Sequence, residues 1–488
     1  MKKILKAVAI AASVMVLSTT FASAKSKTAK GESATESTAK KEKAKKEKTP
    51  KAKKVKFDQA AYDEAFASGD YATCISMLQG KGSKSDAILD ALDADMLMHL
   101  NGSYLDSAKA FLNTQGEMMQ QKVKDDKSGV TYAGTVYERL LSYAMRAANA
   151  FALGDASNAK GVMDSYTGDY KDIISALVAQ EKELDEESEG SLESDEVKNA
   201  LNAMEQAGFS LNLSAVTSKK PQKYTGKDYD TSAFLSYLGM LAYAANGDAE
   251  HAKDFANVLR TVNSAVDVSE DVSVPAGMGR LDVVALSGTI GKRSESANSF
   301  TVMEQMPIVN TPLKFKIVYP VFEKQNHAIN SVRVTLSNGN TKTAALVEDF
   351  DAAVEIDVKK KARRDYNRSV ARNILKNSAV MVAGIAGVSA ADAMVQQNNN
   401  PLTMKAYNVA ISKLNEGLDA IVESEKADVR QGSYFPHKAS AAGFTVAPGT
   451  YSVKVEYLSG NNVVETKEVG DVVVEAGKPT VVVSTCEK

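Results

Sequence analysis

Apolar residues recur at helical spacing through the first half of the chain, from Phe57 to about Asp267. Long stretches such as Val136–Leu153 and Ala233–Ala245 are rich in alanine, and β-branched residues are sparse. A 3.6-residue period with small apolar side chains is typical of helices that pack closely together. The pattern therefore predicts a helical domain over residues 57–267.

A glycine followed by Asp or Ser returns four times in this half, at Gly69-Asp70, Gly102-Ser103, Gly154-Asp155 and Gly247-Asp248. Glycine suits the left-handed end of one helix, and Asp or Ser offers a capping oxygen to the next. Five residues after each glycine stands a small side chain, which lets two antiparallel helices approach: Cys74, Ser107, Ala159 and Ala252. Because the first two signatures lie close to the tetratricopeptide period of about 34 residues, we expect a tetratricopeptide-like array with long inserts.

Two of these hairpins share a longer pattern. Tyr132-x-Gly134-x-x-Tyr137-Glu138 is matched by Tyr224-x-Gly226-x-x-Tyr229-Asp230, and the Gly154 turn is matched by the Gly247 turn. The match predicts a duplicated hairpin. Its signature either caps and packs the helices or forms two equivalent ligand positions on one surface.

The first helix of each hairpin lines the concave face of a tetratricopeptide array, so its side chains are candidates for partner binding. Arg139, Tyr143 and Arg146 have the required spacing in the first duplicated hairpin, and Tyr237 lies in the second. Arg and Tyr are the residue types that most often anchor interfaces. Alternatively, the two tyrosines pack in the core, whereas the arginines are expected to be exposed.

After Asp267, short runs of alternating apolar residues separated by Gly, Pro and Asn predict strands. The first group lies at 283–286, 313–319, 332–336 and 344–347, and the second over 444–484. Two helical stretches, together about 350–426, separate these groups. The order predicts an α+β domain over residues 268–488, in which a β-sheet or sandwich-like module carries a helical insertion.

Two stretches of the insertion have unusual composition. Ser378–Ala391 is uncharged and too short for a transmembrane helix, so it is interpreted as a buried core helix, with close helix pairing at Gly384 and Gly387 as the alternative. Upstream lies a basic cluster, interpreted as a solvated face or, alternatively, an anion site: Lys359, Lys360, Lys361, Arg363 and Arg364.

The near-neutral total charge of −2 hides a strongly uneven distribution. Residues 1–24 combine Lys2, Lys3 and Lys6 with a short apolar run and end in Ala22-Ser23-Ala24, which is the pattern of a secretory signal peptide. Residues 25–56 hold 13 Lys and 4 Glu, so this segment carries +9 and is predicted to be a disordered tail. The tail is either a solvated spacer, a tether to anionic lipid or wall polymer, or a partner of the acidic stretch 181–196.

The sequence contains no recognisable catalytic or metal-binding motif. The four histidines are far apart in sequence, and Cys74 and Cys486 are predicted to be free thiols. Gly288-Thr-Ile-Gly291-Lys292 resembles part of a phosphate loop but lacks its leading glycine and its Ser/Thr after lysine. No cofactor, metal or nucleic acid is therefore expected, and an enzyme ranks third among the hypotheses.

Several short motifs resemble a widespread uncharacterised family of bacterial envelope proteins, many of which are lipoproteins. They are the two Tyr-x-Gly-x-x-Tyr-acid hairpins, Glu348-Asp349-Phe350-Asp351 with Arg363, Arg368 and Arg372 downstream, Ala427-Asp428-Val429-Arg430, and Pro448-Gly449-Thr450-Tyr451. The resemblance covers most of residues 130–485 and implies an envelope location, with cell-wall assembly as a setting. This chain departs from the lipoproteins because no Cys stands at the cleavage site.

The sequence thus favours an exported, non-enzymatic binding or scaffold protein, periplasmic or extracellular and soluble after processing, that presents a helical groove to a protein partner. The alternative is a structural envelope protein held at an anionic surface by its tail, and the third hypothesis is a wall-acting enzyme.

Processing gives a direct test of export. Signal peptidase requires small residues at Ala22 and Ala24, so the mature N-terminus is expected at Lys25. Mass spectrometry of the protein from envelope fractions should detect this terminus. Retention of residues 1–24 would contradict export by a cleaved signal.

Overall fold

Helices occupy the first part of the chain and strands with two long helices the second. The computed structural model describes residues 57–82, 84–121, 131–209, 211–302, 313–398 and 400–488; the predicted signal peptide and tail lie outside them. The helices of the first part are α1 Gln59–Ala67, α2 Tyr71–Lys81, α3 Ala87–Leu100, α4 Tyr104–Gln120, α5 Val136–Ala152, α6 Ala156–Gly190, α7 Asp195–Gln206, α8 Leu213–Thr217, α9 Ala233–Ala245 and α10 Ala249–Val262. The predicted all-helical layout of this part is confirmed.

The second part alternates strands and helices in the predicted order. Its elements are β1 Gly279–Ser287, β2 Lys292–Val302, β3 Leu313–Glu323, β4 Ser331–Leu336, β5 Thr341–Thr343, β6 Ala345–Asp349, α11 Phe350–Gln397, α12 Pro401–Ser424, β7 Lys438–Val446, β8 Gly449–Ser459, β9 Asn462–Val474 and β10 Pro479–Cys486. The helical insertion predicted between the two groups of strands is therefore the α11–α12 hairpin.

The four glycine signatures each join two helices into a hairpin, as predicted. Gly69, Gly102, Gly154 and Gly247 all have φ between 72° and 77°, a conformation that favours glycine. Asp70, Asp155 and Asp248 each accept a backbone N–H of the following helix. The small residues five positions after each glycine are fully buried, which confirms their role in close helix contact: Cys74, Ser107, Ala159 and Ala252.

In the duplicated hairpins, the residues that are equivalent in structure are not those that align in sequence. Thr135 caps α5 and Ser232 caps α9. Since α5 has 17 residues and α9 has 13, the second hairpin's first helix is shorter by about one turn. Tyr137 therefore lies inside α5 whereas Tyr229 precedes α9, and the two are not structurally equivalent.

Two buried carboxylates, one from each half of the chain, bind the N-terminal ends of these duplicated helices. Tyr132, three residues before its cap, donates a 2.6 Å hydrogen bond to Glu138, whose other oxygen accepts the N–H of Gly432 at 2.6 Å. Tyr229, three residues before the other cap, donates a 2.6 Å hydrogen bond to Glu348 of β6. Glu138 thus joins its own half of the chain to Gly432 of the other, and Glu348 joins β6 to the segment before α9.

The first sheet, in the order β10-β1-β7-β6, lies between the helices and a second sheet in the order β5-β4-β8-β9. Val284 and Leu286 of β1 pack in the main core with the helices. Leu281 and Val283 of the same strand pack against the second sheet. The alternation along β1 therefore serves two dry interfaces, and the sequence-predicted domains on either side of residue 267 share one hydrophobic core.

A separate core holds the α11–α12 hairpin to the β2–β3 hairpin. Phe315 and Ile317 of β3 pack there with Tyr366 and Ile374 of α11 and with residues of α7 and α12. The start of α11 instead contributes Phe350 to the main core. The 48-residue helix α11, about 70 Å long at 1.5 Å per residue, thus runs from one core to the other and beyond.

The basic cluster at the start of α11 is paired with the acidic end of α6. Glu181, Asp185 and Glu189 lie one turn apart and form ion pairs with Lys360, Lys361, Arg363 and Arg364. Lys361 and Arg364 are buried. The interpretation of this cluster as a solvated face is therefore wrong for these residues, because the opposing helix neutralises and covers them.

Both cysteines are free, as predicted, and both are buried. Cys74 packs in a small cluster with Tyr62 and Leu97, whereas Cys486 packs between the two sheets.

Replacing Glu348 with Ala should lower the free energy of unfolding by about 3 kcal/mol or more, because Tyr229, Ser232 and the N–H of Phe234 all lose their buried acceptor. Glu348→Gln is the matched control, since it keeps an acceptor oxygen and nearly the same volume. Urea unfolding followed by circular dichroism measures both variants. Equal stability of the two would show that these hydrogen bonds contribute little.

Candidate functional site

Three of the four predicted partner-binding residues lie together on α5. Arg139 and Tyr143 line a small pocket whose other walls come from α4 and α6. Arg146, one turn further on, donates a 2.5 Å hydrogen bond to Gln115 of α4, and its guanidinium carbon lies 5.8 Å from the centre of the Tyr143 ring. The three side chains thus lie near one another on one face of α5.

Their environment differs from the predicted open groove. Arg139, Tyr143 and Arg146 are 4%, 8% and 9% exposed. Arg139 donates a 2.7 Å hydrogen bond to the carbonyl of Ala133, and Tyr143 donates one of 2.9 Å to Asp169. Burial lowers the pKa of Arg139 to about 10, so it stays charged at neutral pH. The expectation that the arginines are exposed is wrong, because α4 and α6 cover them; partner binding by these residues stays a prediction.

Tyr237 is not part of this group. It is 2% exposed on α9, and its hydroxyl lies 3.3 Å from Asp282 at the centre of the first sheet. Asp282 shares this buried position with Arg280, which donates a 2.8 Å hydrogen bond to Asp271. Desolvation, followed by repulsion from Asp271, raises the pKa of Asp282 well above its usual range. Tyr237 therefore packs in the core, as the alternative interpretation held for both tyrosines.

A second candidate surface is an apolar ridge along the outer face of α11. Six exposed residues without charge follow one another at intervals of three or four positions: Leu375, Ala379, Ala383, Gly387, Ala390 and Met394. Leu375 is 39% and Met394 54% exposed. Residues at this spacing form one continuous stripe on a helix. We call these six residues the α11 ridge.

The interpretation of Ser378–Ala391 as a buried core helix is wrong. Among the described residues, α11 alone is long and apolar enough to cross a membrane by length and composition, yet only 22% of its most apolar window is buried. Close pairing holds at one glycine: a Cβ on Gly384 would lie 2.4 Å from Leu414 of α12. Gly387 has no such neighbour and faces outward.

The third candidate is a cluster of two histidines and an aspartate brought together from three elements. His327 lies in the loop between β3 and β4, Asp351 in the first turn of α11, and His437 immediately before β7. The N–H of Phe350 donates to the carbonyl of His437, and the N–H of His437 donates to that of Ser287. These backbone hydrogen bonds fix the start of α11 beside the end of β1.

The cluster is tightly arranged and enclosed. The imidazole rings are stacked with centroids 3.7 Å apart. Nδ1 of His437 and Nε2 of His327 lie 3.1 Å and 3.8 Å from Oδ2 of Asp351. The side chains of His437, Asp351 and His327 are 4%, 6% and 9% exposed. Within the described residues, none of these three facing atoms has a hydrogen bond of acceptable geometry.

Two glycines of the loop after β1 make room for this arrangement. Gly288 has φ of 65°, and a Cβ there would lie 2.8 Å from Nδ1 of His327 and 3.1 Å from the Cβ of His437. The N–H of Gly291 donates a 2.6 Å hydrogen bond to Oδ1 of Asp351. The segment that resembled a phosphate loop therefore orients a carboxylate and admits two imidazoles.

The electrostatics of the cluster favour an ionised aspartate and neutral His327. Burial raises the pKa of Asp351, but the adjoining His437 ring and the Gly291 N–H outweigh it, so that the pKa is lowered overall. Burial and the neighbouring His437 lower the pKa of His327. An ionised carboxylate beside a neutral imidazole is the state in which both groups ligate metals.

Sequence reasoning missed both the ridge and the cluster for different reasons. The ridge follows from helical spacing, but the sequence does not show which face of α11 its neighbours cover. The histidines are 110 residues apart, and only the pairing of β1 with β7 brings His437 to the loop after β1. The signal that was available is the pair of closely spaced glycines, Gly288 and Gly291.

Replacing Arg146 with Ala should lower the free energy of unfolding by about 1–2 kcal/mol, because Gln115 loses its buried donor and the Tyr143 ring loses its cationic neighbour. Arg260→Ala is the matched control, since Arg260 is exposed and donates a 3.0 Å hydrogen bond to Asn257 on the same helix. A change within about 0.5 kcal/mol is expected there. Equal urea midpoints for the two variants would contradict a structural role for Arg146.

Comparisons of this chain with protein-family models, curated proteins and solved structures found no match.

Proposed function

We propose that this chain is an exported, non-enzymatic binding protein of the bacterial cell envelope that engages a protein partner along the α11 ridge. The observation that carries the proposal is the exposure of an uncharged stripe on a helix whose opposite face is firmly packed. Ile374, Met381 and Val388 lie buried on that opposite face. The stripe is therefore held rigidly, and its apolar atoms face solvent unless something covers them.

The shape of the ridge favours a helix as the element that covers it. It spans 20 residues, about 30 Å at 1.5 Å per residue, which matches one helix of ordinary length. Its central side chains are Ala379, Ala383, Gly387 and Ala390, so a partner backbone can approach closely. The lack of charge along the stripe disfavours nucleic acid and acidic polymers as ligands of this surface.

The first half of the chain serves in this proposal as a tetratricopeptide-like scaffold. Four hairpins with positive-φ glycines support that assignment. The walls of the predicted groove, however, are filled by side chains such as Arg139 and Arg146 that hydrogen-bond within the protein. The ridge is accordingly the better candidate for the partner surface.

The alternative is a structural protein held at an anionic surface by the Lys-rich tail. The +9 charge of residues 25–56 favours it. Three acids of the stretch 181–196, the alternative binding site for the tail, are already paired with α11: Glu181, Asp185 and Glu189. Salt screens charge–charge attraction, so binding of the tail to an anionic surface should weaken as salt is raised through the physiological range. Binding of a partner to the apolar ridge should not weaken in this way.

Site-specific photocrosslinking in the producing cell tests the proposal. A benzophenone amino acid at Ala383 or Ala390 should give an adduct with one protein, and the same probe at Ser412, an exposed position of α12, should not. Ala379→Arg, combined with the probe at position 390 in one protein, should abolish the adduct. A charge on the stripe must be desolvated for a helix to pack there.

Each other outcome counts against the proposal. An adduct between two copies of this chain would make the ridge a self-association surface. Adducts with lipid alone, or equal adducts from the ridge and from Ser412, would contradict a specific protein partner. Circular dichroism of the Ala379→Arg variant checks that the exposed substitution leaves the fold intact.

A further inference from the structure

We infer that His327, Asp351 and His437 form a binding site for a divalent transition metal ion, with Zn²⁺ as the expected occupant. This site is independent of the α11 ridge and of the function proposed for it. It is built from one side chain of each of three chain segments that meet only in the folded protein.

In the part of the chain that the structure describes, three buried side-chain atoms without a hydrogen-bond partner converge on one point. The cluster offers one ligand atom from each residue, and the three atoms lie within 4.8 Å of one another. Within the described residues, Nε2 of His327, Oδ2 of Asp351 and Nδ1 of His437 lack hydrogen-bond partners despite being buried. Buried polar atoms are rarely left unpaired, so three that face one point call for a shared ligand.

The distances between these atoms are close to those between the ligands of a tetrahedral metal ion. Ligands about 2.0–2.1 Å from a tetrahedral ion lie roughly 3.3 Å apart. The Asp351 oxygen is 3.1 Å from the His437 nitrogen and 3.8 Å from the His327 nitrogen. The two carboxylate–imidazole separations therefore lie within about 0.5 Å of that spacing. Because the rings are stacked, they must also turn so that both nitrogens point at the same ion.

The backbone of the loop after β1 orients the Asp351 carboxylate. The N–H of Gly291 engages Oδ1 of Asp351, which leaves Oδ2 to face the histidines. Gly288 leaves the space that both imidazoles occupy, since a side chain there would collide with His327. Such outer contacts are how proteins hold metal ligands in position.

The donor set decides the class of ion. Two imidazole nitrogens and one carboxylate suit Zn²⁺, Co²⁺, Fe²⁺ or Ni²⁺, whereas Ca²⁺ and Mg²⁺ require oxygen ligands. Three protein ligands leave a fourth position for water. Asp349, whose Oδ1 lies 3.8 Å from Nδ1 of His437, adds negative charge near the site but is engaged in capping α11.

The inference is tested by measuring metal binding to the untagged chain from Lys25 to Lys488, after a chelator has removed any bound metal. Equilibrium dialysis against ZnCl₂ should give one bound equivalent, and CoCl₂ should produce visible absorption bands of a Co²⁺ site with nitrogen ligands. Asp351→Asn should weaken Zn²⁺ binding at least tenfold. It retains an oxygen for the Gly291 N–H, so that the fold is expected to persist.

His251→Gln provides the matched control, because His251 is an exposed histidine that also contacts an aspartate, Asp248. It should bind Zn²⁺ as the parent does. A second variant, His327→Gln, should also lose Zn²⁺ binding. Because His327 lies in a loop, this variant should keep the parent's circular dichroism spectrum. Zn²⁺ should raise the melting temperature of the parent and of His251→Gln but not of the other two.

The inference is overturned if the folded parent binds neither ion, since the cluster is then a stacked, metal-free histidine pair. It is also overturned if Asp351→Asn and His327→Gln bind Zn²⁺ as tightly as the parent, because the ion then lies elsewhere.

Discussion

Strand β1 must be shielded from solvent on both faces, and most of the structure follows from that requirement. Its nine residues are all buried. One face packs against the helices of the first half and the other against the second sheet. A strand in this position cannot hold an unpaired charge, so Asp282 is surrounded by Arg280, Asp271 and the hydroxyl of Tyr237. The helical half is thus one wall of the β module's core.

Local signals were predictable from the sequence, whereas long-range ones were not. The glycine turns and their caps follow from backbone preferences that any chain would show, and these were predicted residue by residue. Strand β2 was not predicted, because its sequence from Lys292 to Val302 is largely polar and it forms only through pairing with β3. Arg146 is buried against Gln115, 31 positions away, and His327 meets His437, 110 positions away. Hydrophobic periodicity within one element does not encode contacts between distant elements.

Helix α11 connects the features to which we assign roles. Asp351 stands in its first turn, and its basic residues pair with α6. Its apolar ridge, from Leu375 to Met394, lies on the outer face of the segment whose inner face packs in the second core. Because the helix is continuous, the position of the ridge is set by the anchoring of the first turns. The buried carboxylates Glu138 and Glu348 supply much of that anchoring, since they join the two halves close to where α11 begins.

The parallel pairing of β1 with β10 also dictates an order of folding. Arg280 of β1 aligns with Pro479 of β10, so about 200 residues intervene between neighbouring strands. Loop closure over such a distance is slow, and β1 keeps an open edge until β10 has been synthesised. A chain that lacks β10 therefore leaves the backbone N–H and C=O groups along one edge of β1 unpaired and open to pairing with another chain. Completion of the first sheet is a late event in the life of this protein.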